Sequence, residues 1–357
     1  MLVLGIMSGT SIDSVDYALC DIRRMRIRLR DYWQVKFPGS LRARLHKAAA
    51  GQANSYDVGQ LHHDLGRFYA AHARGKPALV GLHGQTIFHN PVRGRSATLQ
   101  LGEPAWLAQS LIVPVVNNFR AADLAAGGQG APLATMFHRV VFAEPGKHVC
   151  VNNLGGISNV TSLDWRRGKT PGVLAFDTGP ANILINLAMR HFTKGKLEMD
   201  RDGQWAAKGA VDERLLKEWL RLPYFRKAPP KSTGRELFGE PFLRSHLAMD
   251  RHDLIATLTE FTARSIAMNY KLHLPSTPHR VVLAGGGAAN PSLVSALKRN
   301  LPRTEIISAE EQGWPLQAIE PAAFALLAHL RFHNQPGNLP STTGATRPVL
   351  LGQITSP

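Results

Sequence analysis

Val3-Leu-Gly-Ile-Met-Ser-Gly-Thr-Ser-Ile-Asp-Ser-Val-Asp-Tyr-Ala-Leu-Cys-Asp-Ile22 is the stretch that decides the fold. An apolar run meets a turn of Gly, Ser and Thr, and a second apolar run carries the chain back. Val149-Cys-Val-Asn-Asn-Leu-Gly-Gly-Ile-Ser-Asn-Val-Thr-Ser-Leu163 repeats the same order later in the chain. A small-residue turn between strands aims several backbone N–H groups and hydroxyls in one direction, which suits a phosphate. In a chain of 357 residues, long enough for two cores, the pair predicts two lobes gripping one polyphosphate.

Composition narrows the class. Hydrophobic residues make up 44% of the chain, enough to fill both cores, and 32 glycines and 23 prolines without a period predict many tight connections rather than disorder. Forty-two Lys plus Arg against 26 Asp plus Glu leave a net charge of +16, which draws anionic ligands at long range. The densest basic run alternates Arg24, Arg26, Arg28 and Arg30 with Met25, Ile27 and Leu29, a period of two that predicts a strand with one wet, basic face. No aromatic residue interleaves these arginines to stack bases, so a solvated edge outweighs a nucleic-acid groove. Cys20 and Cys150 each sit in an apolar strand without metal-ligand spacing, and reduced thiols in a cytoplasmic protein are the expectation. The N-terminus enters a strand directly, and no apolar run reaches membrane-spanning length.

Strand ends deliver polar and glycine residues at several points, where open α/β sheets place ligands. The strand 78–82 empties into His83-Gly-Gln-Thr86, and the strand Val113 to Val116 leads to Arg120 and Asp123. The strand Val173 to Phe176 ends in Asp177-Thr-Gly-Pro180. Helices are predicted over 57–74, 208–222, 254–272 and 318–332. Asp177 is placed to accept a proton from a nucleophile or to orient a metal, although a lone Asp also caps helices. His83 reads as a base or as a group that bonds to backbone and shapes a pocket. Arg120 and Asp123 read as sugar ligands or as a surface ion pair. Gly285-Gly-Gly287, between a strand and a helix capped by Asn290, fits the adenosine corner of an ATP site. A Walker loop is excluded because Lys231-Ser-Thr233 lacks its upstream glycine, and no GxGxxG follows the first strand.

Met7-Ser-Gly-Thr-Ser-Ile-Asp13, His83-Gly-Gln-Thr86, Ala126-Gly-Gly-Gln-Gly-Ala-Pro-Leu133, Asn153-Leu-Gly-Gly-Ile-Ser-Asn159, Phe176-Asp-Thr-Gly-Pro-Ala-Asn182, Pro230-Lys-Ser-Thr-Gly-Arg-Glu236, Gly285-Gly-Gly287 and Thr343-Gly-Ala345 occur in this order. This series, spanning essentially the whole chain, resembles the anhydro-N-acetylmuramic acid kinases. The resemblance implies an α/β, two-lobed, actin/hexokinase-like fold, a duplicated ribonuclease H-like unit with an interdomain cleft. One lobe is expected over 1–140 with 320–357, carrying the sugar side and the first phosphate turn. The other is expected over 141–319, with the second phosphate turn and the adenosine site. It further implies a cytoplasmic, homodimeric enzyme of cell-wall recycling that uses ATP and Mg²⁺ and binds neither nucleic acid nor membrane. Such an enzyme opens 1,6-anhydro-N-acetylmuramic acid with water and phosphorylates O6.

Carried onto this chain, the resemblance makes Asp177 the base that activates water. It places Gly9, Thr10, Ser11, Ile12, Asp13, Ser14, Val15 and Asp16 at ATP, with Asp13 also at the metal. Gly155, Gly156, Gly285, Gly286 and Gly287 complete the nucleotide side, and His83, Gln85, Arg120, Asp123 and Glu320 the sugar side. Ser14, Asn118, Asn186 and Pro321 depart from the family pattern. Ser14, Asn118 and Asn186 motivate a second expectation, a catalytically weakened sugar or nucleotide sensor.

Overall fold

The structure, a computed structural model, describes every residue except Thr10 and Arg93. Its strands are β1 (Leu2–Ser8), β2 (Ser14–Arg23), β3 (Arg26–Lys36), β4 (Leu79–Asn90), β5 (Ala97–Leu101), β6 (Val115–Asn117), β7 (His148–Leu154), β8 (Ile157–Asp164), β9 (Gly172–Pro180), β10 (Arg280–Ala284), β11 (Glu305–Ser308) and β12 (Gln353–Thr355). The chain divides into two compact units, Met1–Val141 with Gln317–Pro357, and Phe142–Leu316.

In the first unit the sheet order is β12-β6-β4-β1-β2-β3, with β5 paired to β4. In the second it is β11-β10-β7-β8-β9. Each unit begins with an antiparallel meander, β1-β2-β3 or β7-β8-β9, and then adds two strands parallel to the meander's first, β4 and β6 or β10 and β11. Read outward from the third strand, both sheets run 3-2-1-4-5. The duplicated α/β unit is thus written into the strand order.

Burial explains why the central strands form. β1 is apolar on both faces and has Val3, Leu4 and Ile6 fully buried, as a strand covered on both sides requires. The helix Ile319–Phe332 covers one face so closely that a Cβ on Gly5 would lie 1.8 Å from the Pro321 carbonyl oxygen. Only glycine permits that approach, and it ties the C-terminal segment to the first unit. Pro321 lies in this helix's first turn, where the missing N–H has no intrahelical partner to lose.

Two expected boundaries differ. β4 continues through His83, Gly84 and Gln85, because Gly84, at φ +78°, and the register shift between Ile6 and Met7 let the strand bulge and then pair with β5. The helix expected over 208–222 is confined to Glu213–Trp219. Asp212 caps its start by accepting from the Arg214 and Leu215 N–H groups, and Gly209 is pressed so closely on His252 that a Cβ would meet its carbonyl oxygen at 2.1 Å. The long helix Arg251–His273, capped by Asp250, crosses the second unit and is buried on most of its faces.

The basic stretch forms an edge, as its alternation predicts: β3 ends the first sheet, while Arg24 lies in the preceding turn at φ +55°. Both cysteines are buried and free. Among the described residues no helix is long and apolar enough to cross a membrane.

Candidate active site

Asp177 lies inside β9, opposite a register shift between Ser158 and Asn159. A bulge there re-aims side chains locally. Its backbone is gripped twice: the Asp177 N–H donates to the Lys231 carbonyl at 3.1 Å, and the Tyr224 hydroxyl donates to the Asp177 carbonyl at 2.7 Å. The Thr233 N–H donates to Oδ2 at 3.0 Å, whereas Oδ1 has no hydrogen-bond partner among the described residues. Burial pushes the carboxyl up to about 6; the Thr233 N–H opposes that rise and the Glu236 carboxylate adds to it. The result is a half-buried acid with one oxygen fixed and one free, ionised at neutral pH yet basic enough to take a proton.

The sugar-side candidates of the first unit form a relay with a different character. The Arg120 guanidinium donates through Nε and Nη2 to His83 Nε2 at 3.1 and 2.9 Å, and through Nη1 to the Gly130 carbonyl at 2.7 Å. His83 therefore carries its proton on Nδ1, 2.9 Å from the Gly84 carbonyl. Burial, and next the Arg120 charge, hold His83 well below the usual imidazole range. It is neutral and orients Arg120, so the alternative of His83 as a base is set aside. Glu320, in the first turn of its helix, attracts Arg120; desolvation raises its carboxyl above the ordinary range, Arg120 opposes the rise and Asp16 adds to it.

Asp123 differs from the ligand the sequence suggested. It has no exposed surface. Oδ2 accepts from the Gly130 N–H at 2.8 Å, and Oδ1 accepts from Asn338 Nδ2 and Thr343 Oγ1, both at 2.7 Å. It staples the loop 126–130 to the C-terminal segment. Gln85 is also fully buried, and its Nε2 donates to the Gly9 carbonyl at 3.2 Å, so it tethers the first glycine turn.

In that turn Ile12 is buried at φ +57°, and Val15 is fully buried in the core, so neither side chain reaches solvent. Asp13 is exposed and pairs with Arg42 at 2.5 Å. Asp16 Oδ1 accepts from Tyr32 at 2.6 Å and from Gln34 at 2.9 Å. Ser11 is exposed, Ser14 opens β2 opposite Lys36, and Thr10 lies outside the described residues.

The glycines divide into two sets. Gly285, at φ +75°, and Gly287 are packed against Asn153 and Leu154, and a Cβ there would meet them at 2.3 and 2.7 Å. Gly9, Gly155, Gly156 and Gly286 have negative φ or extended backbone and no neighbour closer than 3.6 Å to an added Cβ. The protein's own packing does not require glycine at these four. Their backbone is open enough for a polyphosphate to approach. The Gly155 and Gly156 carbonyls already accept from the N–H groups of Ala181, Asn182 and Ile183, leaving the turn's N–H side for a ligand. For a divalent cation the fit is one carboxylate, Asp13; among the described residues no cluster of three or more potential ligands occurs. One carboxylate with substrate phosphates and water is an ordinary set for Mg²⁺.

Pro291 and Ser292, just after the second glycine run, line a cavity of about 470 Å³ walled by Ala206, Gly209, Ala256 and Ala296, with Glu260 and Arg299 at its polar side. Asp177 does not line it. The sequence reading named no role for Tyr224, Lys231, Thr233 or Glu236, although Pro230 to Glu236 stood out as a motif. Three of their contacts run through backbone atoms or a carbonyl, which no side-chain pattern announces.

A family model described as anhydro-N-acetylmuramic acid kinase matches residues 1–357. The protein of that name from Picosynechococcus sp. is 40% identical over 382 residues, covering 100% of both chains. Its counterpart from Synechococcus elongatus is 41% identical over 378 residues, covering 99% of each. The (R)-2-hydroxyglutaryl-CoA dehydratase component A of Acidaminococcus fermentans, a solved structure, overlaps with a TM-score of 0.43 at 15% identity, over 91% of this chain and 96% of its own. That overlap is too slight to build on, and the fold rests on the strand order. Full-length identity at this level is decisive: the chain belongs to the anhydro-N-acetylmuramic acid kinase family.

Proposed function

We propose that this protein is an ATP-dependent sugar kinase that converts 1,6-anhydro-N-acetylmuramic acid, water and ATP into N-acetylmuramate 6-phosphate and ADP. The observation that carries the reading is Asp177, a carboxylate with one oxygen fixed by Thr233, the other free, and a pKa pushed up to about 6. Asp177 takes a proton from water as the water oxygen bonds to the anomeric carbon. The bond from that carbon to O6 breaks, and O6 takes the γ-phosphoryl group as its bond to the β-phosphate oxygen breaks, releasing ADP. One carboxylate thus serves a reaction in which the sugar supplies its own nucleophile.

Arg120, held in place by His83 and Gly130, keeps N–H groups for the sugar's lactyl carboxylate or hydroxyls, and Glu320 accepts from hydroxyls. Asp123 and Gln85 act behind this layer, fixing the loops that present it. The open backbone at Gly9, Gly155, Gly156 and Gly286 receives phosphate oxygens, and the alanine-lined cavity beyond Pro291 suits a purine. Asp13 would hold Mg²⁺, which when bound offsets phosphate charge. A cytoplasmic homodimer working in cell-wall recycling completes the proposal.

The test supplies ATP, Mg²⁺ and the anhydrosugar in H₂¹⁸O. Phosphosugar carrying ¹⁸O on the anomeric carbon is expected. Phosphosugar without that label, or ADP release that does not depend on the sugar, would overturn the scheme.

A further inference from the structure

Lys231 is a buried cation with no carboxylate beside it. Its residue is 6% exposed, and among the described residues Nζ forms no ion pair. Nζ lies 3.4 Å from the Tyr224 carbonyl, 3.2 Å from the Phe225 carbonyl and 3.3 Å from His273 Nε2. It also stands 4.9 Å from the centre of the Tyr224 ring and 5.8 Å from that of Phe176. Burying an ammonium without a counter-charge is costly, and an apolar side chain of equal length would fill the same space more cheaply. Packing alone does not call for a lysine here.

The contacts of Lys231 converge on Asp177. The two carbonyls it binds end the short helix Pro223–Arg226, whose terminal C=O groups lack intrahelical partners. Tyr224 in that helix donates its hydroxyl to the Asp177 carbonyl. Lys231's own carbonyl accepts the Asp177 N–H, and two residues on, the Thr233 N–H fixes Oδ2. Phe176, whose ring faces the ammonium, precedes Asp177 in β9. Three bonds to Asp177 therefore come from a helix and a loop that Nζ fastens together.

We infer that Lys231 is a positioning residue: its ammonium pins the loop bearing Thr233 to the helix bearing Tyr224, and so holds Asp177 with Oδ1 free. The inference rests on the proposed role of Asp177 as base. The charged and titratable groups around the clamp are Glu236 and Tyr224 toward Asp177, and His273 and Lys227 toward Lys231. None supplies a second fastening between helix and loop.

The test is Lys231→Met in the full-length protein, with Asp177→Asn alongside. The expected result for Lys231→Met is kcat lowered about 10²-fold by misplacement of the base, KM for ATP and sugar within about twofold, and an unchanged or higher Tm from relief of desolvation. The acid limb of the kcat/KM profile moves to higher pH, because the Thr233 bond that favours the Asp177 carboxylate is loosened. Lys231→Arg, which retains a cation and its donors, recovers part of kcat. A wild-type kcat and acid limb in Lys231→Met overturns the inference, and so does a change confined to KM for the sugar, which makes Lys231 a direct ligand. Should Lys231→Met fail to fold, Lys231→Gln is judged on the same two quantities. If Asp177→Asn is inactive while Lys231→Met is normal, only this inference falls; if Asp177→Asn stays active, the assignment of the base falls first.

Discussion

Asp177 and Asp123 are both aspartates near glycine-rich loops, and the two units treat them in opposite ways. Asp123 has no exposed surface and accepts three protein hydrogen bonds spread over both oxygens. Asp177 is only half buried, accepts one bond at its carboxylate, and has its surplus bonds placed on its backbone. A carboxylate saturated by protein donors is a staple: its charge is fully used in holding loops. A carboxylate gripped by its main chain but left with a free oxygen is positioned and still reactive. The chemical class of the residue says nothing about this; the allocation of donors decides it.

The sharpest way to break the comparison is Asp177→Asn. With Asp177 as the proposed base, its loss should lower kcat by about 10³-fold, while the amide oxygen still accepts the Thr233 N–H. Stability should move the other way. The carboxyl's pKa rises from 3.8 unfolded to about 6 folded, so the folded state binds the proton more tightly. The ionised group therefore costs stability, fully above pH 6 and not at all below 3.8. The variant should be more stable than wild type at pH 8 by about 1–3 kcal/mol and equal to it near pH 4. Denaturant melts at the two pH values check this; a variant less stable at pH 8 would place Asp177 among the staples.

Asp123→Ala tests the other side. It strands the Gly130 N–H, Asn338 Nδ2 and Thr343 Oγ1 without an acceptor. The expected cost is about 3 kcal/mol, seen as a lower urea midpoint. The carboxylate remaining in Asp177 should leave the acid limb of the pH profile where it was. A variant of wild-type stability with lost sugar affinity would return Asp123 to the role of ligand.

How much of this contrast was legible beforehand follows from where its causes lie. Strand order was within reach because the hairpins Val3 to Ile22 and Val149 to Leu163 repeat one another in apolar pattern and turn composition. Asp177 stood out by its place in an apolar strand beside Thr178 and Gly179. The fate of Asp123 was not readable, since Asn338 and Thr343 lie more than two hundred positions away and only folding brings them to it. The residue type allows His83 as base or pocket former, and the choice turns on the two hydrogen bonds that Arg120 donates to its Nε2. The helix over 208–222 was overextended because its apolar spacing outran the Asp212 cap.

Gly156→Ala sharpens the division among the glycines that surround these sites. An added Cβ meets nothing closer than 3.8 Å, so the unfolding free energy should stay within about 0.5 kcal/mol of wild type. If a polyphosphate lies against this backbone, KM for ATP should rise about tenfold from lost close approach, roughly 1.4 kcal/mol. KM for the sugar should not change. Unaltered ATP kinetics would mean that the open space at Gly156 is not used by the nucleotide, and would leave the phosphate to the first unit's turn.

The smallest effect concerns Asn118, two residues before Arg120, where the resemblance to the kinase family implies an aspartate. Its backbone sits at φ +55°, in the left-handed region that Asn and Asp tolerate better than other residues with a Cβ. The position thus selects for a short side chain that can bond to local backbone, and both residues meet that need. Asn118→Asp should shift stability by less than about 0.5 kcal/mol and leave kcat within about threefold, whereas Asn118→Ala should cost about 1 kcal/mol from strain. A large gain in kcat on restoring the carboxylate would show instead that position 118 acts on the substrate. The Arg120 side would then contain a reactive acid of its own, and the division between a stapled unit and a reactive one would no longer hold.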